Sequence, residues 1–206
     1  MTRFLPGILA MAAIVVASNI LVQFLLGDFL TWGALTYPFA FLVTDIMNRI
    51  YGAAAARKVV ASGFIVGIIC SLIGTQIMGE FGPLVTLRIA LASGLAFLTA
   101  QMLDIAIFDR LRGTVWWKAP LVSTLFGSAV DTVIFFSLAF SAAFVFLDPA
   151  NDVAWANESI PLLGFGPMAP LWVSLALADW CVKFTLALIA LLPFRAIVTK
   201  ISPPVA

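Results

Sequence analysis

The 206-residue sequence has no histidine, only two cysteines and few charged side chains. Histidine is the commonest proton-relay and metal-ligand side chain, and the sequence also has no P-loop, nucleophile elbow or HExxH motif. Cys70 and Cys181 lie in separate apolar runs, without the spacing of a metal site or a disulfide framework. The net charge of +1 comes without a basic patch for nucleic acid. We therefore expect a protein that is not an enzyme and has no metal, cofactor or nucleic-acid partner.

Hydrophobic residues make up 63% of the chain and charged residues only 10%. Soluble domains are about half apolar and about a quarter charged, whereas apolar runs of about 20 residues are typical of membrane-spanning helices. The sequence predicts one all-α, polytopic transmembrane domain over residues 1–206, which begins with a span rather than a cleaved leader. Turn residues divide it into six predicted spans, at about 4–26, 33–52, 58–79, 84–109, 118–147 and 166–197.

The basic residues at or beyond the ends of the predicted spans favour one orientation in the lipid bilayer. They stand before span one, between spans two and three, between spans four and five, and after span six. They are Arg3, Arg57, Lys58, Arg110, Arg112, Lys118, Arg195 and Lys200. The other loops contain acids but no Lys or Arg. Because cytoplasmic loops are enriched in Lys and Arg, we expect both termini in the cytoplasm.

Among the charged residues of the predicted spans, four acids and three bases stand out because they are expected at membrane depth. An Asp, Lys or Arg at a helix centre costs about 2.5 to 3.5 kcal/mol, so such residues usually face a bundle interior or a cavity. Their near balance favours mutual pairing, with one acid left for a cation, a proton or a donor-rich ligand. They are Asp45, Arg49, Arg88, Asp104, Asp131, Asp179 and Lys183. Arg88, near the outer end of span four, either snorkels to the headgroups or faces the interior.

Polar residues recur at helical spacing in four of the spans, which places the members of each group on one helix face. The groups are Asp45 with Arg49, Gln101 with Asp104, Thr124 with Ser128 and Asp131, and Asp179 with Lys183. We predict that these four faces converge on one cavity. Simpler interpretations stay open, because residues near helix ends suit the membrane interface and the Asp179–Lys183 pair suits a structural role. Asp131 has no oppositely charged neighbour on its own helix and is the hardest to explain by packing.

Span three carries a stripe of small residues, Gly63, Gly67, Ser71 and Gly74. Such a stripe lets two helices approach closely in a membrane. It predicts close packing either inside the bundle or across a homodimer.

Four further segments form a set: TDIMNRIYG, AQMLDIAIFDRLR, WWKAPLVSTLFGSAVDTVIFFSLAF and DWCVKFTLALIALLPF. In order and spacing they resemble the queuosine precursor transporter family, which is also described as a vitamin uptake family. The resemblance implies six transmembrane helices in a bacterial inner membrane and a fold similar to the substrate-binding subunits of energy-coupling-factor importers. It implies import of the 7-deazaguanine queuosine precursors preQ0 and preQ1. Two alternatives stay open. The protein is either a transporter that works by facilitated diffusion or proton coupling, or a binding subunit that needs a separate energising complex.

The resemblance also implies which positions carry the family motif. They are Asp45, Asn48, Tyr51, Gly52, Gln101, Asp104, Arg110, Trp117, Ser123, Thr124, Asp131, Lys183 and Pro193. Many relatives have glutamate where this chain has Arg49, so we do not expect a cation or proton site at this position. We expect Arg49 to pair with Asp45 or another acid. We assign Arg49 and Arg88 to structural ion pairs or gating.

The chemistry of the implied substrate agrees with these positions. A 7-deazaguanine presents adjacent N–H donors, which a carboxylate accepts in pairs, and Asn48 or Gln101 suits its carbonyl. An aminomethyl cation, as in preQ1, matches the surplus acid. We expect substrate contacts at Asp45, Asn48, Gln101, Asp104, Thr124, Asp131, Asp179 and Lys183.

Overall fold

The computed structural model describes residues 2–80 and 82–201, and they form a bundle of α-helices. The helices are α1 (Leu5–Leu21), α2 (Gly33–Thr36), α3 (Phe39–Tyr51), α4 (Ala53–Gly74), α5 (Leu87–Leu111), α6 (Lys118–Phe140) and α7 (Leu171–Ile201). Within the described residues, α4 to α7 are each long and apolar enough to cross a membrane, and α1 is a shorter apolar helix of 17 residues. The chain is therefore an all-helical, multi-pass membrane protein.

Every predicted span contains a helix, but the bounds of several spans differ from the prediction. The helix of span one ends at Leu21, and that of span three covers Ala53–Gly74, so Arg57 lies inside α4 rather than between spans two and three. Span two is divided, because α2 ends before Pro38, which has no amide hydrogen to continue the hydrogen-bond ladder of a helix. Span five ends at Phe140 rather than near residue 147. The backbone of Ser141 is extended there, and the short 3₁₀ helix Ala142–Leu147 follows.

Three of the connections between helices are antiparallel β-hairpins. β1 (Leu25–Leu26) pairs with β2 (Leu30–Thr31) before α2, β3 (Met78–Gly79) with β4 (Gly82–Pro83) before α5, and β5 (Ser159–Pro161) with β6 (Met168–Pro170) before α7. The hairpins lie in the loops that have no Lys or Arg. The other connections are short, and Gly52 alone joins α3 to α4. Its φ of +88° favours glycine.

Helix α3 lies at the centre of the bundle, where it contacts α1, α4, α5, α6 and α7. The largest apolar core packs around its Ala40 and Met47 faces and includes Met11, Val60 and Phe97. The opposite side of the bundle has a smaller core of Phe108, Ala119 and Phe194. Because α3 is enclosed on several sides, its polar residues face other helices rather than lipid.

Glycines allow two of the close contacts in the bundle. A Cβ on Gly127 of α6 would lie 2.9 Å from Phe41 Cε1, 3.2 Å from the Ala100 carbonyl oxygen and 3.3 Å from Asp104 Cβ. A Cβ on Gly63 of α4 would lie 2.5 Å from Met11 Cγ. Gly63 therefore serves packing inside the bundle, one of the two uses predicted for the stripe.

Candidate functional site

Tyr37, Asp131, Thr132, Asp179 and Lys183 form a buried ion-pair network, which we call the central cluster. The Lys183 ammonium lies 2.6 Å from Asp131 Oδ2 and 2.5 Å from Asp179 Oδ2. It also donates to Thr132 Oγ1 at 3.0 Å, and Thr132 donates to Asp179 Oδ2 at 2.9 Å. The Tyr37 hydroxyl donates to Asp131 Oδ1 at 2.9 Å. One ammonium thus bridges two carboxylates.

Local structure explains how these side chains meet. Asp179 and Lys183 are one turn apart on α7, so they share a face. Asp131 and Thr132 lie on the neighbouring face of α6, near the middle of that helix. Tyr37 follows α2, and its ring lies near Lys183, whose Nζ is 5.3 Å from the ring centroid. Tyr37 and Thr132 are not among the contact residues expected from the sequence. The Tyr-Pro step inside an apolar run and the Asp-Thr pair were the available signals.

Asp45 lies in a second cluster, between α3, α5 and α6. Ser123 donates to Asp45 Oδ1 and Thr124 to Asp45 Oδ2, each at 3.2 Å. Thr124 therefore bonds a carboxylate on a neighbouring helix. Ser123, which was absent from the expected substrate contacts, contributes equally. The carboxyl of Asp104 interacts with that of Asp45.

Gln101 and Asp104 belong to the second cluster but are only partly satisfied. The Thr44 hydroxyl lies 2.6 Å from Gln101 Oε1. Gln101 Nε2 and both carboxylate oxygens of Asp104 are buried and have no hydrogen-bond partner among the described residues. Asp104 is thus fully buried, which excludes the simple interfacial position that stayed open for it. Buried polar atoms are normally hydrogen-bonded, so these three atoms require an explanation.

Asn48 and Arg49 join the end of α3 to the end of α5. Arg112 donates to the Asn48 side-chain oxygen and, at 2.7 Å, to the Asn48 carbonyl. Asn48 Nδ2 donates to the Ile105 carbonyl at 3.2 Å. Arg49 donates to the Arg112 carbonyl at 2.6 Å. Among the described residues no acid lies within ion-pair distance of Arg49, so its predicted ion pair is wrong. The carbonyl of Arg112, the residue after α5, is its acceptor instead.

Arg88 is fully buried and faces the protein interior. Its Nε donates to the Leu138 carbonyl at 2.6 Å, and its Nη2 donates to the Ser141 carbonyl. Carbonyls at a helix C-terminus lack partners and carry partial negative charge. Arg88 therefore caps the end of α6. Arg88 makes no ion pair within the part of the chain that the structure covers. The structural ion pair predicted for Arg88 is therefore also wrong.

Two clefts reach these clusters from different sides. The α7 cleft lies between α3, α6 and α7 and includes Leu42, Asp45, Thr124, Ala187 and Phe194 in its lining. The α1 cleft lies between α1, α4 and α5 and includes Ser18, Tyr37, Ser71 and Phe97. The α7 cleft therefore reaches the second cluster, and the α1 cleft reaches the tyrosine of the central cluster.

The helices do not bring the expected contact residues together around a single cavity. Thr124 and Asp131 are seven residues apart on α6, which separates them by about 10 Å along the helix. Ser128, between them, bonds to the Leu125 carbonyl of its own helix. The expected contacts divide into the central cluster, the second cluster and the Asn48 joint.

A multi-pass helical bundle with buried carboxylates at membrane depth is typical of membrane transport proteins, in which such residues mark ion or substrate pathways. The family model described as "Putative vitamin uptake transporter" matches residues 31–198. The chain belongs to that family, which is one of transporters rather than enzymes.

Curated relatives agree with the family assignment. The chain is 35% identical over 198 residues to the "Queuosine precursor transporter" of Escherichia coli (strain K12), a match that covers 89% of this chain and 80% of the relative. It is 34% identical over 182 residues to a "Probable queuosine precursor transporter" of Haemophilus influenzae, covering 83% and 69%. It is 28% identical over 193 residues to one of Bacillus subtilis, covering 84% and 73%. No solved structure matches the chain.

Proposed function

We propose that the protein imports queuosine precursors, the 7-deazaguanines preQ0 and preQ1, across the inner membrane of a bacterium. The observation that carries the proposal is the second cluster, in which Asp45 lines a cleft inside the helix bundle and the carboxylate oxygens of Asp104 beside it have no hydrogen-bond partner among the described residues. A buried carboxylate suits the adjacent N–H donors of a deazaguanine. The names of the three relatives support the same substrate class.

The proposed topology has six spans, with the broken α2–α3 segment as one of them and both termini in the cytoplasm. In this orientation the α7 cleft lies in the cytoplasmic half and the α1 cleft in the outer half, with the central cluster between them. Substrate would pass from one cleft to the other when the helices around α3 rearrange, by facilitated or proton-coupled transport. The whole chain forms a single transmembrane domain in this proposal.

The expected contact residues receive different roles in the proposal. Asp45, Gln101, Asp104 and Thr124 contact the substrate, as members of the second cluster. Asp131, Asp179 and Lys183 control the passage between the clefts. Asn48 holds α3 against α5, because both ends of its side chain already have protein partners.

Restoration of queuosine in tRNA tests the proposed function. Cells that cannot make preQ0, that keep the later steps of queuosine synthesis and that lack their own importer are given external preQ0, with and without this protein. We expect queuosine to return to the tRNA only in cells that produce the protein. Equal recovery in both strains, with the protein present in the membrane of one, contradicts the proposal.

Reconstitution into liposomes separates a transporter from a binding subunit. The purified chain alone should admit labelled preQ0 into the liposomes. If uptake occurs in cells but not with the purified chain, a separate energising complex is required, as for the subunits of energy-coupling-factor importers.

A further inference from the structure

Asp104 and Gln101 present a contiguous set of unused hydrogen-bonding atoms inside the bundle. Both side chains are fully buried. Neither Asp104 oxygen has a partner among the described residues, and neither does Gln101 Nε2. The two residues are three apart on α5, so they lie on one face with Cβ atoms about 5 to 6 Å apart. The pair therefore offers two acceptors beside one donor.

The protein around the pair determines how its atoms are oriented. The Thr44 hydroxyl is closer to Gln101 Oε1, at 2.6 Å, than to the Ala40 carbonyl, at 3.0 Å. Donation to Oε1 leaves Nε2 as the free end of the amide. The Asp45 carboxyl accepts from Ser123 and Thr124 and interacts with that of Asp104, so its own proton is the one donor that it can offer Asp104. An unpaired buried carboxylate is costly, so the arrangement suits a ligand that supplies the missing donors.

We propose that Asp104 and Gln101 read the amide-and-amine edge of a guanine-type base. The Asp104 carboxylate accepts from the ring N–H and from the exocyclic amine, and Gln101 Nε2 donates to the ring carbonyl. An adenine-type base has an acceptor in place of the ring N–H, and a hypoxanthine-type base lacks the exocyclic amine. Neither base can therefore make both hydrogen bonds to the Asp104 carboxylate. The inference rests on the proposed function and assigns base recognition within the second cluster to these two residues.

The surrounding helices agree with a site that opens for its ligand. Asp45 lines the α7 cleft and adjoins Asp104, so separation of the helices at that cleft exposes the pair. Close packing of α6 at Gly127 covers Asp104 in the structure described here. The ligand therefore takes the place of protein contacts that shield the carboxylate when the site is closed.

Binding by the purified full chain in detergent tests the inference with three ligands: preQ0, its analogue without the exocyclic amine, and adenine. The variants are Asp104→Asn and Gln101→Met, and the matched control is Asp109→Asn, an exposed acid on the same helix. Gln101→Met leaves the Thr44 hydroxyl with the Ala40 carbonyl as its acceptor. Dissociation constants and the melting temperature without ligand are measured for each protein.

We expect the wild type and the control to prefer preQ0 over the analogue by about tenfold or more, as the loss of one hydrogen bond to a charged group predicts. Asp104→Asn should weaken preQ0 binding and abolish that preference. It should not lower the melting temperature without ligand, because it removes an unpaired buried charge. Gln101→Met should weaken preQ0 binding by about tenfold, because the hydrogen bond from Gln101 Nε2 to the ring carbonyl is lost.

The outcomes separate the inference from the proposed function. If the wild type binds preQ0 and both variants bind it equally well with the same preference, the inference is wrong and the proposed function stands. A lower melting temperature of Asp104→Asn with unchanged binding also overturns the inference, because it gives Asp104 a structural role. If the wild type binds none of the ligands, both are wrong.

Discussion

The ammonium of Lys183 lies 2.6 Å from the carboxylate of Asp131 on the neighbouring helix, and both side chains are buried. The same ammonium contacts Asp179, so one base holds two acids together across the α6–α7 contact. Removal of one partner from a buried ion pair leaves an uncompensated charge, which costs more than the pair contributes. The central cluster should therefore be sensitive to the loss of its single base.

Lys183→Met should destabilise the protein strongly, because Asp131 and Asp179 would remain close together without the cation between them. We expect a loss of about 3 to 5 kcal/mol, the range for breaking a buried pair. Thermal unfolding in detergent measures it, and Lys200→Met, at an exposed position of the same helix, is the control. Combining Lys183→Met with Asp131→Asn should cost less than the two changes added together. Strict additivity would show that Lys183 and Asp131 do not interact.

Tyr37→Phe should weaken the link between the α1 cleft and the central cluster. It removes only the hydroxyl that donates to Asp131, and hydrogen bonds to charged groups contribute about 1.5 to 3 kcal/mol. We expect lower stability by that amount and slower preQ0 uptake at equal protein level. Tyr51→Phe is the matched control, because Tyr51 is exposed. If both variants transport preQ0 at the wild-type rate, Tyr37 has no part in the pathway.

Apolar run length and helical spacing were sufficient to predict a helix in every span and the polar positions on it, but not the division of span two or the end of span five. The Asp179–Lys183 pair follows from spacing within one helix, and the structure contains it. The contact of Lys183 with Asp131 could not be predicted in the same way, since it depends on how α6 and α7 are rotated against each other. Spacing describes one helix at a time, whereas packing determines which faces meet.

Because spacing does not show which helix faces meet, it also did not predict that the polar residues form separate clusters rather than one cavity. Thr124 and Asp131 share a stripe on α6, but different helices cover the two positions: α3 contributes Asp45 to the first and α7 contributes Lys183 to the second. Arg49 shares a face with Asp45 by spacing, yet its guanidinium reaches the end of α5. A long side chain near a helix end can reach several hydrogen-bond partners, so spacing alone does not identify which partner it contacts.

Asn48→Ala should separate a structural role from substrate contact. Asn48 joins α3 to α5 through Arg112 and the Ile105 carbonyl, so its truncation removes buried hydrogen bonds and should cost about 1 to 3 kcal/mol of stability. The preQ0 affinity of the folded protein should stay within about twofold of the wild type, because no free atom of Asn48 remains for a ligand. Thermal unfolding and preQ0 titration are measured on the same preparation, with Asn151→Ala in a loop as the control. Asn48→Ala and Asp104→Asn thus have opposite expected effects, since the first weakens the fold and the second weakens binding. A large loss of affinity in Asn48→Ala without a loss of stability would return Asn48 to the substrate contacts.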